Sequence, residues 1–126
     1  MTRRRVVITG VGTVNPLATD VGGFWDALLS GRSGIRSITK FDTAEFASRI
    51  GGEVVGWGDR APAGVDDREW RRMDRFCQFA VASALEAVAD SGIDFETEDR
   101  QRCGVIVGSG IGGLQELEEQ HNRMLD

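Results

Sequence analysis

Two short apolar runs, each ending in glycine, restrict the possible fold more than any other feature of the sequence. Residues 4–10 read RRVVITG and residues 103–108 read CGVIVG, and both runs are rich in β-branched residues. Consecutive apolar positions of this kind are typical of parallel strands that are buried on both faces. The sequence therefore predicts two buried strands, far apart in the chain, within an α/β architecture.

Two helices are predicted between these strands. The first runs from Val21 to Ser30, with Asp20 as its N-cap and Gly31 as its stop. The second is longer, because apolar residues recur at spacings of three and four from Asp67 to Asp90. Its N-cap would be Asp66 or Asp67, and Gly92 would end it.

The predicted elements do not make a complete fold. A third helix would begin at Leu114, and GEVVGW at residues 52–57 is a candidate for a short edge strand. Sheets usually hold about four to six strands, and only two firm strands are predicted here. The chain also ends inside the last helix, at NRMLD, without Gly or Pro. We therefore expect residues 1–126 to be the first part of a larger fold.

Composition excludes several classes of function. The chain has 15 Lys and Arg against 20 Asp and Glu, a net charge of −5, which disfavours nucleic acid as a partner. No apolar run approaches the ~20 residues of a membrane span, and the run after MTRRR is too short for a signal peptide. We expect a cytoplasmic protein. One His cannot build a zinc cluster, so neither a metal nor a cofactor is predicted.

The glycines after the second strand have the spacing of a dinucleotide-binding motif, at positions Gly108, Gly110 and Gly113. Two features oppose that interpretation. The chain ends 13 residues after Gly113, before the ribose-binding acid and its strand would come. The helix that follows starts with carboxylates that would repel a phosphate, namely Glu116, Glu118 and Glu119. A tight turn with close packing is the favoured interpretation, and a dinucleotide-binding module remains an alternative.

Four blocks of the sequence resemble the β-ketoacyl-acyl-carrier-protein synthases, and most closely the KAS II type. In chain order they are RRVVITGVGTVNPLA, FWDALLSGRSGIRSITKFD, RRMDRFCQFAVASALEAVADSGI and CGVIVGSGIGGLQELEEQH. The resemblance implies the N-terminal part of a thiolase-like fold, with an incomplete mixed sheet in this segment, and a homodimer. It also implies decarboxylative condensation of an acyl thioester with malonyl-acyl carrier protein.

No catalytic residue is predicted within this chain. In the family that it resembles, the nucleophilic Cys and two catalytic His residues come after the glycine turn. Cys77 lies on the apolar side of the long predicted helix, and neither Cys103 nor His121 matches a catalytic position of the family. The segment alone is therefore expected to be inactive.

The resemblance implies two binding roles. Ile111, the apolar residue within the glycine turn, would face the acyl-chain pocket; ordinary packing in a core or dimer interface is the alternative. Arg68, Arg71 and Arg72 would dock the acidic acyl carrier protein. On one continuous helix these arginines and Arg75 fall within about 100° of one face, where they would oppose the helix dipole. A solvated face is the alternative, because acidic residues interleave with them.

Two departures from the family pattern and one rival function remain. Ala18 replaces a common Gly, and Asp67 stands where a basic residue is frequent, which weakens the docking patch. The rival is a non-catalytic chain-length factor of a polyketide system, which shares the fold but lacks the Cys. A downstream Cys would favour the enzyme, and a Gln there the partner subunit.

Overall fold

The computed structural model describes residues 3–125. Its helices and strands are, in chain order, α1 (Val21–Leu29), β1 (Ile35–Ser37), β2 (Ile50–Gly52), α2 (Asp67–Arg72), α3 (Arg75–Ser91), a short 3-10 helix (Arg100–Arg102) and α4 (Leu114–Leu125). The chain divides into two compact units. The first unit holds the described residues up to Trp57 together with Ala82–Ile93, and the second holds Gly58–Val81 and the described residues from Asp94 onward.

Helix α1 begins and ends where its caps predict. The Asp20 carboxylate accepts a hydrogen bond from the backbone N–H of Gly23 at 2.8 Å, which satisfies a free donor of the first turn. Gly31 follows the helix with φ +67°, a left-handed conformation that Gly adopts without a steric penalty. Ala27 is the buried residue of this helix. The local prediction for α1 is confirmed.

The sheet of the described residues is small and antiparallel. β1 pairs with β2, so that Ile35 lies opposite Gly52 and Ser37 lies opposite Ile50. The candidate edge strand at residues 52–57 is therefore wrong in its bounds, because pairing stops at Gly52. The reason is the short partner: β1 has three residues and cannot pair with a longer run.

The two predicted buried strands are not formed. Neither residues 4–10 nor residues 103–108 take part in a strand, and Ile8 and Ile106 are 86% and 99% exposed. A strand requires a neighbour that accepts and donates its backbone hydrogen bonds. Within residues 3–125 no segment pairs with either run. The apolar pattern shows that these residues favour burial, but it cannot supply the neighbouring strand.

In the first unit, the loop at residues 10–15 packs directly on the backbone of α3. A Cβ atom at Gly10 would lie 2.1 Å from the carbonyl oxygen of Ala87, and one at Gly12 would lie 2.0 Å from that of Ser83. Real Cβ atoms do not approach a carbonyl oxygen so closely. Glycine is thus required at both positions by the contact with the helix.

One carboxylate of α3 holds this loop and α1 together. The two oxygens of Glu86 accept hydrogen bonds from the backbone N–H groups of Thr13 at 2.8 Å and Val21 at 2.7 Å. One turn further along α3, Asp90 accepts from the N–H of Val11 at 2.9 Å. These bonds satisfy backbone donors that would otherwise need water.

The predicted long helix from Asp67 to Asp90 is wrong in one respect: it is broken after α2. Met73 has ψ 135°, an extended conformation, and α3 then starts at Arg75. The buried Trp70 explains how the break is tolerated, because its carbonyl oxygen accepts from the Gln78 side chain at 2.9 Å. In a continuous helix the N–H of Asp74 would bond to that oxygen. Gly92, with φ +65°, follows α3 as predicted.

The described residues contain neither a candidate membrane-spanning helix nor a metal-binding cluster. None of its helices combines the length and the apolar character that a membrane span requires. Between residues 3 and 125, no group of three or more His, Cys, Asp or Glu side chains is arranged to hold a metal ion.

Candidate functional site

The glycine turn, residues 108–113, lies in the second unit and leads into α4. Gly112 has φ +87°, and its N–H donates to the hydroxyl of Ser109 at 3.0 Å. Gly108 and Gly110 have open space where a Cβ would stand. The predicted tight turn is therefore present at Gly112, whereas the first two glycines of the motif spacing are not required by packing.

The third glycine of the motif lies against a carboxylate. A Cβ atom at Gly113 would lie 1.9 Å from Oδ2 of Asp74, so only glycine leaves room for this side chain. A bound pyrophosphate would meet that negative charge and, in the first turn of α4, the carboxylate of Glu116. Phosphate-binding turns offer positive N–H groups instead. The geometry therefore disfavours a dinucleotide at this turn.

Ile111 projects from the glycine turn and is 77% exposed. It is not part of a core within the described chain, so the core-packing alternative finds no support in this segment. A flexible apolar side chain held on a turn of defined geometry can present its surface to an apolar ligand or to another protein surface. Contact with an acyl chain stays a prediction.

The arginines predicted to dock a carrier lie on α2 rather than on one long helix. Arg68 is in the first turn of α2, while Arg71 and Arg72 are in its last turn, where positive charge is favourable to the helix dipole. Arg75 belongs to the start of α3. The predicted continuous face and the predicted cost at Arg71 and Arg72 are therefore both wrong, because the break moves these residues to a helix C-terminus.

Two of the three predicted docking residues line one cleft of about 430 Å³ in the second unit, which we call the arginine cleft. Arg71 and Arg72 contribute from α2, and Glu116 and Glu119 contribute from α4. Arg68 is not one of the described residues that line this cleft. The structure thus brings positive and negative side chains together around one concave surface, which the sequence alone did not predict.

Gln78 lines the arginine cleft and belongs to a chain of hydrogen bonds that is partly buried. Gln78 is 7% exposed, accepts from a guanidinium N–H of Arg75 at 3.1 Å, and donates to the carbonyl oxygen of Trp70. The indole N–H of Trp70 donates to the carbonyl oxygen of Gly58 at 2.9 Å. Sequence reasoning missed Gln78, although a polar residue on the apolar side of a predicted helix is a signal for such a bond.

A buried carboxylate, that of Glu53, belongs to the first unit. Glu53 is 8% exposed and accepts from the N–H and hydroxyl of Thr39 and from the N–H of Lys40. The hydrogen bond from the Thr39 backbone, followed by that from the Thr39 hydroxyl, lowers the pKa of Glu53 below its ordinary value. Burial opposes this effect but does not cancel it. Glu53 therefore stabilises the turn that follows β1 through these hydrogen bonds.

Comparison with known proteins places these features in a family. Residues 3–125 match the family model described as "Beta-ketoacyl synthase, N-terminal domain". The chain belongs to this family. The match covers every described helix and strand of the chain. It also includes the loop at residues 10–15 and the glycine turn.

Relatives from several bacteria agree with this assignment. The chain is 40% identical over 124 residues to the "3-oxoacyl-[acyl-carrier-protein] synthase 2" of Synechocystis, covering 98% of the chain and 29% of that relative. It is 44% identical over 126 residues to the protein of the same name from Coxiella burnetii, covering 99% of the chain and 30% of that relative. The chain thus spans less than a third of the length of these curated β-ketoacyl synthases.

A solved structure shows the same fold. The chain matches "The ishigamide ketosynthase/chain length factor" with a TM-score of 0.71 and 34% identity, over 99% of this chain and 31% of that one. The predicted fold class, an incomplete α/β segment of a thiolase-like fold, is confirmed by this likeness and by the family match. Within the described residues, the apolar runs at 4–10 and 103–108 do not form the buried strands that the sequence predicts.

Proposed function

We propose that residues 1–126 form part of the N-terminal half of a β-ketoacyl-acyl-carrier-protein synthase that elongates fatty acids. The observation that carries this proposal is the match of residues 3–125 to the family's N-terminal domain, together with 40% identity to a 3-oxoacyl-acyl-carrier-protein synthase 2. The whole protein would be a cytoplasmic, thiolase-like homodimer and an acyltransferase that needs no cofactor.

The proposed reaction forms one carbon–carbon bond. An acyl group passes from its carrier to an enzyme Cys thiolate, and the carrier thiol leaves. Malonyl-carrier then loses CO₂, and the resulting carbanion attacks the acyl carbonyl and expels the thiolate. The family resemblance implies that the Cys and two His residues lie downstream, so this segment supplies binding surfaces and not the nucleophile.

The direct test is condensation by the full-length protein. Acyl-carrier and malonyl-carrier are supplied, and the elongated 3-oxoacyl product and released CO₂ are measured. We expect both products in equal amounts. Release of CO₂ without an elongated product, or the absence of both, would contradict the proposed reaction.

Docking of acyl carrier protein at Arg68, Arg71 and Arg72 forms the second part of the proposal. The carrier is acidic, and α2 presents three exposed guanidinium groups next to a concave surface. Replacing Arg71 and Arg72 by Glu should weaken carrier binding at least tenfold and flatten its dependence on salt. Arg71→Glu and Arg68→Glu, each made singly, are the matched pair, and we expect a smaller loss from Arg68→Glu because Arg68 lies outside the arginine cleft. An unchanged salt slope in the double variant would rule out this docking site.

Ile111 is proposed to limit the length of the bound acyl chain. Ile111→Phe adds volume at the exposed tip of the glycine turn and should shorten the chains that the full-length enzyme accepts. Ile111→Val is the matched control, because it keeps the β-branched shape and should leave the range of products nearly unchanged. Identical chain-length profiles for the Phe variant and the wild type would contradict the role.

A chain-length-factor-like partner subunit is the second candidate. It is favoured by one observation, the likeness to a solved protein whose title names both a ketosynthase and a chain length factor. The downstream sequence distinguishes the two candidates: a Cys in the nucleophile loop favours the enzyme, and a Gln there favours the partner. A partner subunit would also fail to take an acyl group from its carrier when assayed alone.

A further inference from the structure

The arginine cleft carries charges of both signs, which has a consequence for any acidic partner. Arg71 and Arg72 line the cleft from α2, and Glu116 and Glu119 line it from α4. Within residues 3–125, neither arginine forms an ion pair with either glutamate. The two glutamates instead accept hydrogen bonds along α4, from Gln120 and Gln115 respectively. Their charges are thus held at the cleft without neutralising the arginines through contact.

We propose that Glu116 and Glu119 act as an electrostatic gate that weakens the binding of acidic proteins at Arg71 and Arg72. This inference rests on the proposed docking of an acidic carrier and adds residues that set its selectivity. A partner carboxylate that enters the cleft meets attraction from Arg71 and Arg72 and repulsion from Glu116 and Glu119. The other charged residues of the lining are Asp59, Asp74 and Arg75, and they are the same in every variant compared below. Because the two glutamates are exposed to solvent, their effect on affinity is modest and is largest at low ionic strength.

The gate favours partners whose negative charge is held in one position relative to the cleft. A partner that places its negative charge nearer to α2 than to α4 meets more attraction from the arginines than repulsion from the two glutamates, since Coulomb energy falls with distance. A polyanion without defined structure cannot keep its charges away from α4. The two glutamates therefore disfavour nonspecific polyanions more than a folded carrier that docks in one orientation.

Helix α4 offers a matched control on its other side. Glu118 lies next to a separate depression lined by apolar residues that include Leu117 and Met124, away from the arginine cleft. Glu118→Gln changes the net charge of the protein by the same amount as Glu116→Gln or Glu119→Gln. A general change in net charge would therefore affect all three variants equally, whereas the gate predicts a difference.

The experiment measures the affinity of the full-length protein for two probes at low ionic strength. One probe is a bacterial acyl carrier protein bearing its phosphopantetheine group, and the other is a short oligoglutamate peptide. We expect Glu116→Gln and Glu119→Gln, each made singly, to bind oligoglutamate about threefold or more tightly than wild type, and the carrier with a smaller gain. Glu118→Gln should change either affinity by less than about half that factor. The gain should disappear when Arg71 and Arg72 are also replaced by Gln.

The outcomes separate the gate from the proposed function. Equal gains for Glu118→Gln and for the α4 variants, or a gain that persists without the arginines, would overturn the gate. If oligoglutamate shows the expected gain but no variant binds the carrier, the gate stands and the proposed carrier docking fails. Circular dichroism of each variant verifies that the fold is unchanged, because all the replaced side chains are exposed.

Discussion

The first loop, residues 10–15, and the glycine turn, residues 108–113, use glycine for different physical reasons. Gly10 and Gly12 bring the backbone of the loop into contact with carbonyl oxygens of α3. In the glycine turn, Gly108 and Gly110 touch nothing, and the turn depends on the positive φ of Gly112. A glycine that permits close packing belongs to the scaffold, whereas a turn with open space around it leaves a surface free for binding.

The hydrogen bonds of the two regions differ in the sequence separation between donor and acceptor. The first loop donates its N–H groups to carboxylates of α3, which are more than 70 residues away in the chain. The glycine turn satisfies the N–H of Gly112 through Ser109, three residues away. Long-range bonds tie the first loop to a helix, and local bonds shape the glycine turn.

Adding one methyl group should separate the two regions most strongly. Gly12→Ala places a Cβ 2.0 Å from a carbonyl oxygen of α3, and backbone cannot move aside as a side chain can. We expect the free energy of unfolding to fall by about 3 kcal/mol. Gly110→Ala, with open space around it, should change that free energy by less than about 0.5 kcal/mol. Urea denaturation followed by tryptophan fluorescence measures both, and similar losses would break the contrast.

Removing the carboxylate that bridges the first loop and α1 should have the next largest effect. Glu86→Ala leaves the half-buried N–H groups of Thr13 and Val21 without their acceptor, and we expect a loss of about 2 kcal/mol of unfolding free energy. Asp90→Ala is the matched comparison. It removes one exposed bond that water can replace, so about 0.5 kcal/mol is expected. A larger loss for Asp90→Ala than for Glu86→Ala would contradict the assignment of Glu86 as the main link.

Within the glycine turn, Gly113 is the position where an added methyl group should lower the free energy of unfolding. Gly113→Ala forces the Asp74 carboxylate to move, but a side chain can rotate away, so we expect a loss of about 1 kcal/mol. The same change in an Asp74→Ala background should cost much less. A double-mutant cycle measures this coupling. Additive losses would show that Asp74 is not the obstacle.

The smallest effect should be the dependence of stability on pH through Glu53. Hydrogen bonds from Thr39 lower its pKa in the folded state, so the unfolded chain binds the proton more readily. Glu53 then contributes stability above its ordinary pKa of 4.5, and this contribution is lost as the pH falls through the lower folded-state pKa. Unfolding of wild type and Glu53→Gln between about pH 3 and pH 6 measures this difference. Parallel curves would mean that the carboxylate is not protonated differently in the two states.

Helix ends were predictable because their determinants are local. The Asp20 cap and the glycines after α1 and α3 act within a few residues, so the sequence contains the whole interaction. The break at Met73 was not predicted, because the apolar spacing continues through it. Asp74 was an available signal, since Asp is favoured immediately before a helix. The interactions that accompany the break involve the distant Gly58 and the indole of Trp70.

For the candidate site too, the sequence indicated individual residues, but not which of them lie close together. The resemblance to β-ketoacyl synthases singled out Ile111 and the three arginines, and the family is confirmed by the match over residues 3–125. Their roles stay predictions. The glutamates of α4 were read only as a reason against phosphate binding. Their position opposite Arg71 and Arg72 depends on how α2 and α4 fold within the second unit.

The sequence was sufficient to predict the helix caps, the helix ends other than the break at Met73, the family and the residues that favour burial, because these depend on local interactions or on patterns that similar chains share. Tertiary structure decided which glycines are required, which carboxylates accept distant N–H groups, and which charges share a cleft. It also decided that the apolar runs at residues 4–10 and 103–108 stay unpaired within this chain. A strand forms only when its backbone groups bond to a neighbouring segment. The apolar pattern of one segment does not show which segment that neighbour is.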